Sequence, residues 1–317
     1  MNNDSRLKLA IKAGKIHKQI RCEIEEWIKP GLLMIDIANK IETRIKELTL
    51  FDINNPTNSG IGFPTGLSLN ECAAHWTPNI GDKTILKKND VCKIDYGIHF
   101  NGIIIDSAFT VSFNPIYDKL LEASKSSTEL AIKMSGPDTI LGEIGEAVEE
   151  NMNSYEIEIN GELKPITTIK SLTGHKIEPY KIHADKSVPN FKIDYPERML
   201  ENEYYAIETF SSTGSGITTE GNDCSHFMID YNKNYKDIPL ANKDKKYFEI
   251  IESNFSTLAF CNRWINDYGI PNKFLKNLCA TGVINKYPPL NDIKGSYTAQ
   301  FEHSIFIKDK GNLVLSD

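Results

Sequence analysis

The stretch KIDYGIHFNGIIIDSAFT, residues 93–110, places two aspartates inside an apolar run that is typical of β-strands. Asp95 follows Ile94, and Asp106 follows three consecutive isoleucines. No lysine or arginine lies between the two aspartates. Burying a carboxylate costs several kcal/mol unless another group pairs with it. Wherever either aspartate is buried, its negative charge therefore needs a partner.

The dipeptide NG at 101–102 is a strong signal for a two-residue β-hairpin turn. Residues equally distant from such a turn face each other, so Asp95 lies opposite Ala108 and Asp106 lies opposite Gly97. Both aspartates then point to one face as diagonal neighbours, roughly 7–8 Å apart at Cα. Either a cation lies between them, or one is protonated, or one is simply solvated at a strand end.

Sequence patterns typical of helices lie before and after this hairpin. The recurring apolar positions are Ile16, Ile20, Ile24 and Ile28 in a first helix and Leu33, Ile37, Ile41 and Ile45 in a second. Pro30-Gly31 separates the two helices. We predict strands over residues 91–96 and 103–113, followed by helix, break and helix over 117–153, with Gly-Pro-Asp at 136–138 as the break.

Two pairs of segments indicate an internal duplication. KPGLLMIDIANKIE (29–42) resembles GPDTILGEIGEAVE (136–149), and NDVCKID (89–95) resembles NEYYAIE (202–208). The order is preserved: helices, then a strand that ends in an acid. We interpret this as two structural halves related by duplication. Residues 229–285 break the pattern and predict a helical insertion between two strands of the second half, and residues 295–307 alternate as a final strand.

Acidic residues recur inside predicted strands. Glu208 in YYAIETF and Glu302 in TAQFEHSIF repeat the pattern of the two aspartates, and His175 follows a glycine in SLTGHKI. Four carboxylates and one imidazole are the ligand types that suit a pair of divalent first-row ions. Three other histidines are not expected to bind a metal. His17 and His99 are expected to be solvated, and the histidine after Glu302 points to the opposite face of its strand.

Composition narrows the class of protein. The net charge of −7 argues against nucleic acid as the main partner, and no run of about 18 apolar residues is present to span a membrane. The first residues contain no apolar signal-peptide core. Six cysteines without CxxC or framework spacing indicate reduced thiols. We expect a cytoplasmic monomer that binds neither nucleic acid nor membrane.

Several motifs together closely resemble the type 2 methionine aminopeptidases. They are NECAAHWTPN, CKIDYGIHFNGIIIDSAFTVSFNP, TGHKI, YKIHA, YAIETFSSTGSG, CSHFM and PPLNDIKGSYTAQFEH. The resemblance covers essentially the whole chain. It implies the pita-bread α/β fold, with pseudo-twofold halves, an antiparallel sheet and one catalytic domain over residues 1–317. It also implies that 229–285 is the inserted helical subdomain of the type 2 enzymes.

The resemblance assigns site residues by their positions in these motifs. The implied metal ligands are Asp95, Asp106, His175, Glu208 and Glu302, which would hold two divalent ions, with Mn, Fe, Co and Zn all open. The implied catalytic residues are His75, His183 and Glu208. The implied substrate-binding residues are His75, His183, Phe63, Ile182, His226, Ala259 and Tyr287. Two positions, Glu178 and Asp185, depart from the glycines that relatives tend to carry there.

The implied activity is removal of the N-terminal methionine from nascent proteins and peptides. A hydroxide bridging the two metals would attack the peptide carbonyl, and Glu208 would carry its proton to the leaving amine. The resemblance also implies alkylation of His75 by fumagillin-type epoxides. Ribosome association is left open, since eukaryotic relatives often carry a long charged extension before the catalytic domain, whereas here the first helix is expected to begin almost at once. The alternatives are a non-catalytic binding protein on the same fold and an Xaa-Pro aminopeptidase.

Overall fold

The computed structural model describes residues 2–233 and 238–317 of the chain. Helix α1 (Asn3–Trp27) and helix α2 (Met34–Thr49) lie on either side of Pro30-Gly31, as the sequence predicts. Strands β1 (Ser59–Leu69) and β2 (Cys72–Ala74) follow. Five isoleucines of these helices are buried in the largest apolar cluster of the described residues: Ile20, Ile24, Ile37, Ile41 and Ile45.

The predicted hairpin is present with the predicted register. Strands β3 (Val91–Phe100) and β4 (Ile103–Ser112) pair antiparallel, with Asp95 opposite Ala108 and Gly97 opposite Asp106. The turn residues adopt positive φ angles of 48° at Asn101 and 74° at Gly102. Asparagine followed by glycine accepts these angles at low cost, which explains why this dipeptide fixes the register. With β1 the hairpin forms a three-stranded sheet in the order β1-β3-β4.

The second half repeats the first in order. A 3₁₀ turn at Pro115–Tyr117 leads into α3 (Asp118–Met134) and α4 (Leu141–Asn153), separated at the predicted break. Leu33 and Ile140, which precede α2 and α4 at equivalent places in the duplicated segments, each form an isolated β-bridge, to Ile85 and Arg198. This shared detail supports the duplication.

The remaining strands form the second large sheet and three small ones. The large sheet has the order β17-β16-β10-β8-β9, with β7 also paired to β10. Its strands are β7 (Thr167–Thr168), β8 (Gly174–Ile177), β9 (Ser187–Val188), β10 (Tyr204–Ser212), β16 (Thr298–Ile307) and β17 (Asn312–Val314). The strands of the small sheets are β5 (Glu156–Ile159), β6 (Glu162–Pro165), β11 (Thr219–Glu220), β12 (His226–Ile229), β13 (Phe260–Cys261), β14 (Ile284–Tyr287) and β15 (Leu290–Asn291).

Three helices lie between the paired strands β12 and β14. They are α5 (Asn242–Phe255), α6 (Asn262–Asp267) and α7 (Asn272–Thr281), and they share an apolar core of their own. The predicted helical insertion does not continue as one helix after α5. The chain instead turns at Ser256, with φ of 51°, and forms β13 before α6 begins. Residues 234–237 of the predicted insertion lie outside the described residues.

Two histidine predictions are wrong. His17 is fully buried on α1, where its Nε2 lies 2.9 Å from the carbonyl oxygen of Tyr96 and its ring stacks on that tyrosine. His99 is buried beside the hairpin turn, where its Nδ1 lies 3.4 Å from the amide nitrogen of Gly102. Burial lowers the pKa of His17 to about 3 and that of His99 to about 4. Both rings are neutral structural groups.

Among the described residues, no helix has both the length and the apolar composition needed to cross a membrane.

Candidate active site

A cavity of about 260 Å³ lies over the strands that carry the acidic residues. Every site residue proposed from the sequence lines it. Those residues are Phe63, His75, Asp95, Asp106, His175, Ile182, His183, Glu208, His226, Ala259, Tyr287 and Glu302. They come from segments more than 200 residues apart in the chain, so the fold brings together a set that spacing alone could not assemble.

Two registers place the four carboxylates. On the β3–β4 hairpin the two aspartates are diagonal neighbours, and on the β10–β16 pair Glu208 lies directly opposite Glu302. The two pairs meet because β4 and β16 lie side by side. Backbone and hydroxyl groups join these strands: Ser107 Oγ donates to the carbonyl oxygen of Glu302 at 2.6 Å.

His175 lies beside three of the four carboxylates. Its Nε2 lies 3.5 Å from Asp106 Oδ2 and 3.8 Å from Glu208 Oε1. One ligand atom each from Asp106, His175 and Glu302 all lie within 4.8 Å of one another, and the three side chains are buried. A carboxylate–imidazole–carboxylate set of this kind matches divalent first-row ions.

The structure also tests whether a cation fits. Several buried carboxylate oxygens accept no hydrogen bond from any side-chain or backbone donor in the described parts of the chain. They are Asp95 Oδ1, Asp106 Oδ1 and both oxygens of Glu302. Buried oxygens of this kind carry a large desolvation cost unless a cation or a proton satisfies them. The residues present therefore fit bound metal ions.

Burial dominates the electrostatics of the cluster. It raises the pKa of Asp95 to about 7 and the pKa values of Asp106, Glu208 and Glu302 well above the ordinary range. Repulsion among the carboxylates adds to the effect on Asp106, Glu208 and Glu302. Burial also lowers the pKa of His175 far below its usual value, so its nitrogen lone pair is available to a metal.

Gln300 is a member of the site that the sequence prediction missed. Its Nε2 donates to Glu208 Oε2 at 3.0 Å and lies 3.4 Å from Asp95 Oδ2, so that one amide group joins carboxylates of the two halves. The signal was present, because Gln300 stands two residues before Glu302 on β16 and alternation points both side chains to the same face.

Three further histidines, His75, His183 and His226, line the cavity. The His75 ring lies 5.9 Å from the Tyr287 ring and 6.1 Å from the His226 ring. His183 meets the ring of His175 edge-on at 4.2 Å. Burial, followed by the charge of His183, lowers the pKa of His75 to about 4. A neutral imidazole therefore faces the cavity at physiological pH.

The chain matches the model of metallopeptidase family M24 over residues 8–309. It is 46% identical to methionine aminopeptidase 2A of Arabidopsis thaliana over 307 residues, which cover 96% of this chain and 68% of the relative. It is 48% identical to methionine aminopeptidase 2 of Saccharomyces cerevisiae over 312 residues, which cover 96% of this chain and 74% of the relative. The chain belongs to the type 2 methionine aminopeptidases. The resemblance read from the motifs is confirmed.

Solved structures confirm the pita-bread fold of this methionine aminopeptidase. A thermophilic Arx1 superposes with a TM-score of 0.80 at 17% identity and covers 98% of this chain and 90% of its own. The methionine aminopeptidase of Thermotoga maritima superposes with a TM-score of 0.65 at 20% identity, covering 99% and 97%. A prolidase of Pyrococcus furiosus superposes with a TM-score of 0.59 at 12% identity, and the match covers 99% of this chain and 64% of the prolidase. At these identities the likeness shows the fold alone.

Glu178 and Asp185, which depart from the motifs of type 2 methionine aminopeptidases, both form ion pairs with Lys176. Lys176 Nζ lies 3.0 Å from Asp185 Oδ1 and 3.3 Å from Glu178 Oε1, and it also pairs with Glu203 at 3.1 Å. The additional acids therefore join an ion-pair network beside His175. They do not add unpaired charge to the cavity.

Proposed function

We propose that this methionine aminopeptidase removes the N-terminal methionine from nascent polypeptides with two divalent ions held in the acidic cluster. The proposed ligands are Asp95, Asp106, His175, Glu208 and Glu302. The assignment rests on the buried carboxylate oxygens that find no donor among the described residues and belong to side chains that line the same cavity as the neutral His75. Mn, Fe, Co and Zn all suit carboxylate and imidazole ligands, so elemental analysis decides the metal.

The ions would supply a water of lowered pKa and a Lewis acid for the scissile carbonyl. Proton transfer and hydrogen bonding to the carbonyl oxygen are assigned to side chains. Glu208 is the proposed proton carrier: Gln300 engages its Oε2, which leaves Oε1 to take a proton and pass it to the leaving amine. His75 and His183 are the proposed donors to the carbonyl oxygen as negative charge develops there.

The methionine side chain is proposed to enter the apolar part of the cavity. Phe63, Ile182 and Ala259 supply apolar surface there, and His226 and Tyr287 close the side next to His75. An unbranched thioether adapts to such a wall because it has three rotatable bonds. The free α-amine would then lie near the carboxylates, which restricts the reaction to the first residue of a chain.

The test combines metal analysis with peptide cleavage. Purified protein should contain two divalent ions per chain and cleave Met-Ala-Ser far faster than Leu- or Pro-initiated peptides. Asp106→Asn should lose bound metal, whereas His303→Gln, one residue after Glu302 on the opposite face of β16, should retain it. Full activity in protein shown to be metal-free would contradict the proposal.

A further inference from the structure

A buried ion pair joins helix α2 to helix α6. Arg263 Nη1 lies 2.6 Å from Glu42 Oε2, and Nη2 lies 2.9 Å from Glu42 Oε1. The two residues are 8% and 5% exposed. Trp264 Nε1 also donates to Glu42 Oε2 at 2.8 Å. A bidentate pair of this kind fixes the guanidinium plane as well as its position.

Arg263 also donates to Asn39 Oδ1 of α2 at 3.1 Å and to two groups of the segment that follows His75. Arg263 Nε donates to the carbonyl oxygen of Pro78 at 3.3 Å, and Nη2 donates to Thr77 Oγ1 at 3.3 Å. The amide of Thr77 donates to Ser225 Oγ, also at 3.3 Å. The two residues immediately beyond Trp76 are thus held by groups from distant parts of the chain.

This attachment matters because His75 has an unusual backbone. Its φ angle is 64°, in the left-handed region that a non-glycine residue adopts only when its surroundings impose it. On one side, Ala74 is held in β2 by pairing with Leu290 of β15. On the other side, the Trp76 carbonyl accepts from the amide of Leu67 at 2.8 Å. Contacts on both sides of His75 therefore direct its ring into the cavity.

We propose that Arg263, oriented by Glu42, is a positioning residue that holds His75 in its left-handed conformation. The same segment also supports the cavity wall at His226. Cys261, two residues before Arg263, pairs with His226 where strands β13 and β12 meet. The pair therefore couples the helices between β12 and β14 to the placement of His75. This inference rests on the proposed role of His75 in catalysis.

The test removes the pair without leaving a buried charge. In Glu42→Gln/Arg263→Met the glutamine keeps an acceptor for Trp264 and the methionine keeps the apolar stem. Arg44→Met is the matched control, since Arg44, on the same helix α2 as Glu42, makes a bidentate pair with Glu23 of α1 that is partly exposed and away from the cavity. The readouts are kcat and KM on Met-Ala-Ser, and the NMR signal of the His75 ring, assigned by its loss in His75→Asn.

We expect the double variant to lose at least about tenfold in kcat with a smaller change in KM, because a misplaced donor affects the transition state more than binding. The His75 ring signal should shift in the double variant and not in Arg44→Met. An unchanged His75 signal and unchanged kcat in the folded double variant would overturn the inference. Full turnover in His75→Asn would instead overturn the proposed catalytic role, while a shifted ring signal would still uphold the positioning.

Discussion

A single hydroxyl group, that of Ser304, holds the backbone of Asp106 at two points. The amide nitrogen of Asp106 donates to Ser304 Oγ at 2.8 Å, and the same Oγ donates to the carbonyl oxygen of Asp106 at 2.7 Å. Thr110 and Gln300 repeat the arrangement further along β4 and β16. These contacts take the place of a strand ladder where the two halves meet, and they fix one proposed metal ligand relative to Glu302.

Ser304→Ala should therefore weaken metal binding as well as stability. Removing a buried hydroxyl that makes two hydrogen bonds costs about 1–3 kcal/mol of unfolding free energy, since it leaves the Asp106 backbone groups without partners. Loss of a group that orients a ligand typically reduces metal affinity by about 10–100-fold. Titration calorimetry with the metal measures the second effect. Ser154→Ala, which removes an exposed hydroxyl bonded to the nearby Asn151 carbonyl, should change neither quantity appreciably.

Metal removal should reverse the pH dependence of stability. The folded-state pKa values of the four carboxyl groups are raised, with Asp95 at about 7. Between about pH 4 and 7 the metal-free folded protein thus holds more protons than the unfolded chain, so its stability falls as pH rises through this window. Bound metal competes with those protons and stabilises more at higher pH. Calorimetric Tm values from pH 5 to 8, with chelator and with metal, measure both trends.

Two variants sharpen this pH test. Asp95→Asn removes one group of raised pKa, so the fall in Tm of the chelated protein should become shallower. Glu201→Gln changes an exposed acid outside the cavity and should leave the slope unaltered. A chelated wild-type protein whose Tm rose steadily from pH 5 to 8 would show that these carboxyl groups are not protonated in the folded state.

The elements near the first aspartates are predictable because local chemistry fixes them. Asn101-Gly102 sets the turn, the turn sets the register, and the register places both aspartates on one face. The seam between β4 and β16 is different. It depends on hydroxyl-to-backbone contacts such as that between Ser107 and Glu302, which are 195 residues apart, and no local pattern announces them.

The errors have physical causes too. The isoleucine repeat at every fourth residue, through Ile16, Ile20 and Ile24, does not include His17. The buried face of α1 instead alternates steps of three and four through Ala13, His17, Ile20 and Ile24. In the region between β12 and β14, α5 ends at Phe255 and the short strand β13 precedes α6. The predicted boundaries of the insertion stay a prediction.

Substrate preference should respond to the size of the side-chain pocket. We expect Met-peptides to be preferred over Leu-peptides by at least about tenfold in kcat/KM, since a misplaced branch is worth roughly 1–3 kcal/mol in an apolar pocket. Ala259→Leu fills part of the proposed pocket and should lower kcat/KM for Met-peptides, whereas Ala241→Val, at an exposed position, should not. Equal values for Met- and Leu-peptides in wild-type protein would contradict the pocket assignment.

A fumagillin-type epoxide should alkylate His75 with one adduct per chain. The nucleophile is the neutral imidazole, and because its pKa lies at about 4 the ring is almost entirely neutral above pH 5. The rate of alkylation should therefore be nearly constant from pH 5 to 8. An ordinary imidazole would lose rate below about pH 6.5, and a thiol would gain rate toward its pKa of about 8.5. Peptide mass mapping at several pH values separates these cases.

The chain carries its own competitors for this reaction. Cys22 is exposed and free, while Cys72 is three residues from His75 but buried, and burial raises the pKa of its thiol. Accessibility alone would favour Cys22, so an adduct on His75 in preference to it requires the epoxide to be held in the cavity. His75→Asn should keep bound metal, lose most turnover and resist inactivation. A dominant adduct on Cys22 or Cys72, with turnover retained, would mean that His75 does not face the bound substrate.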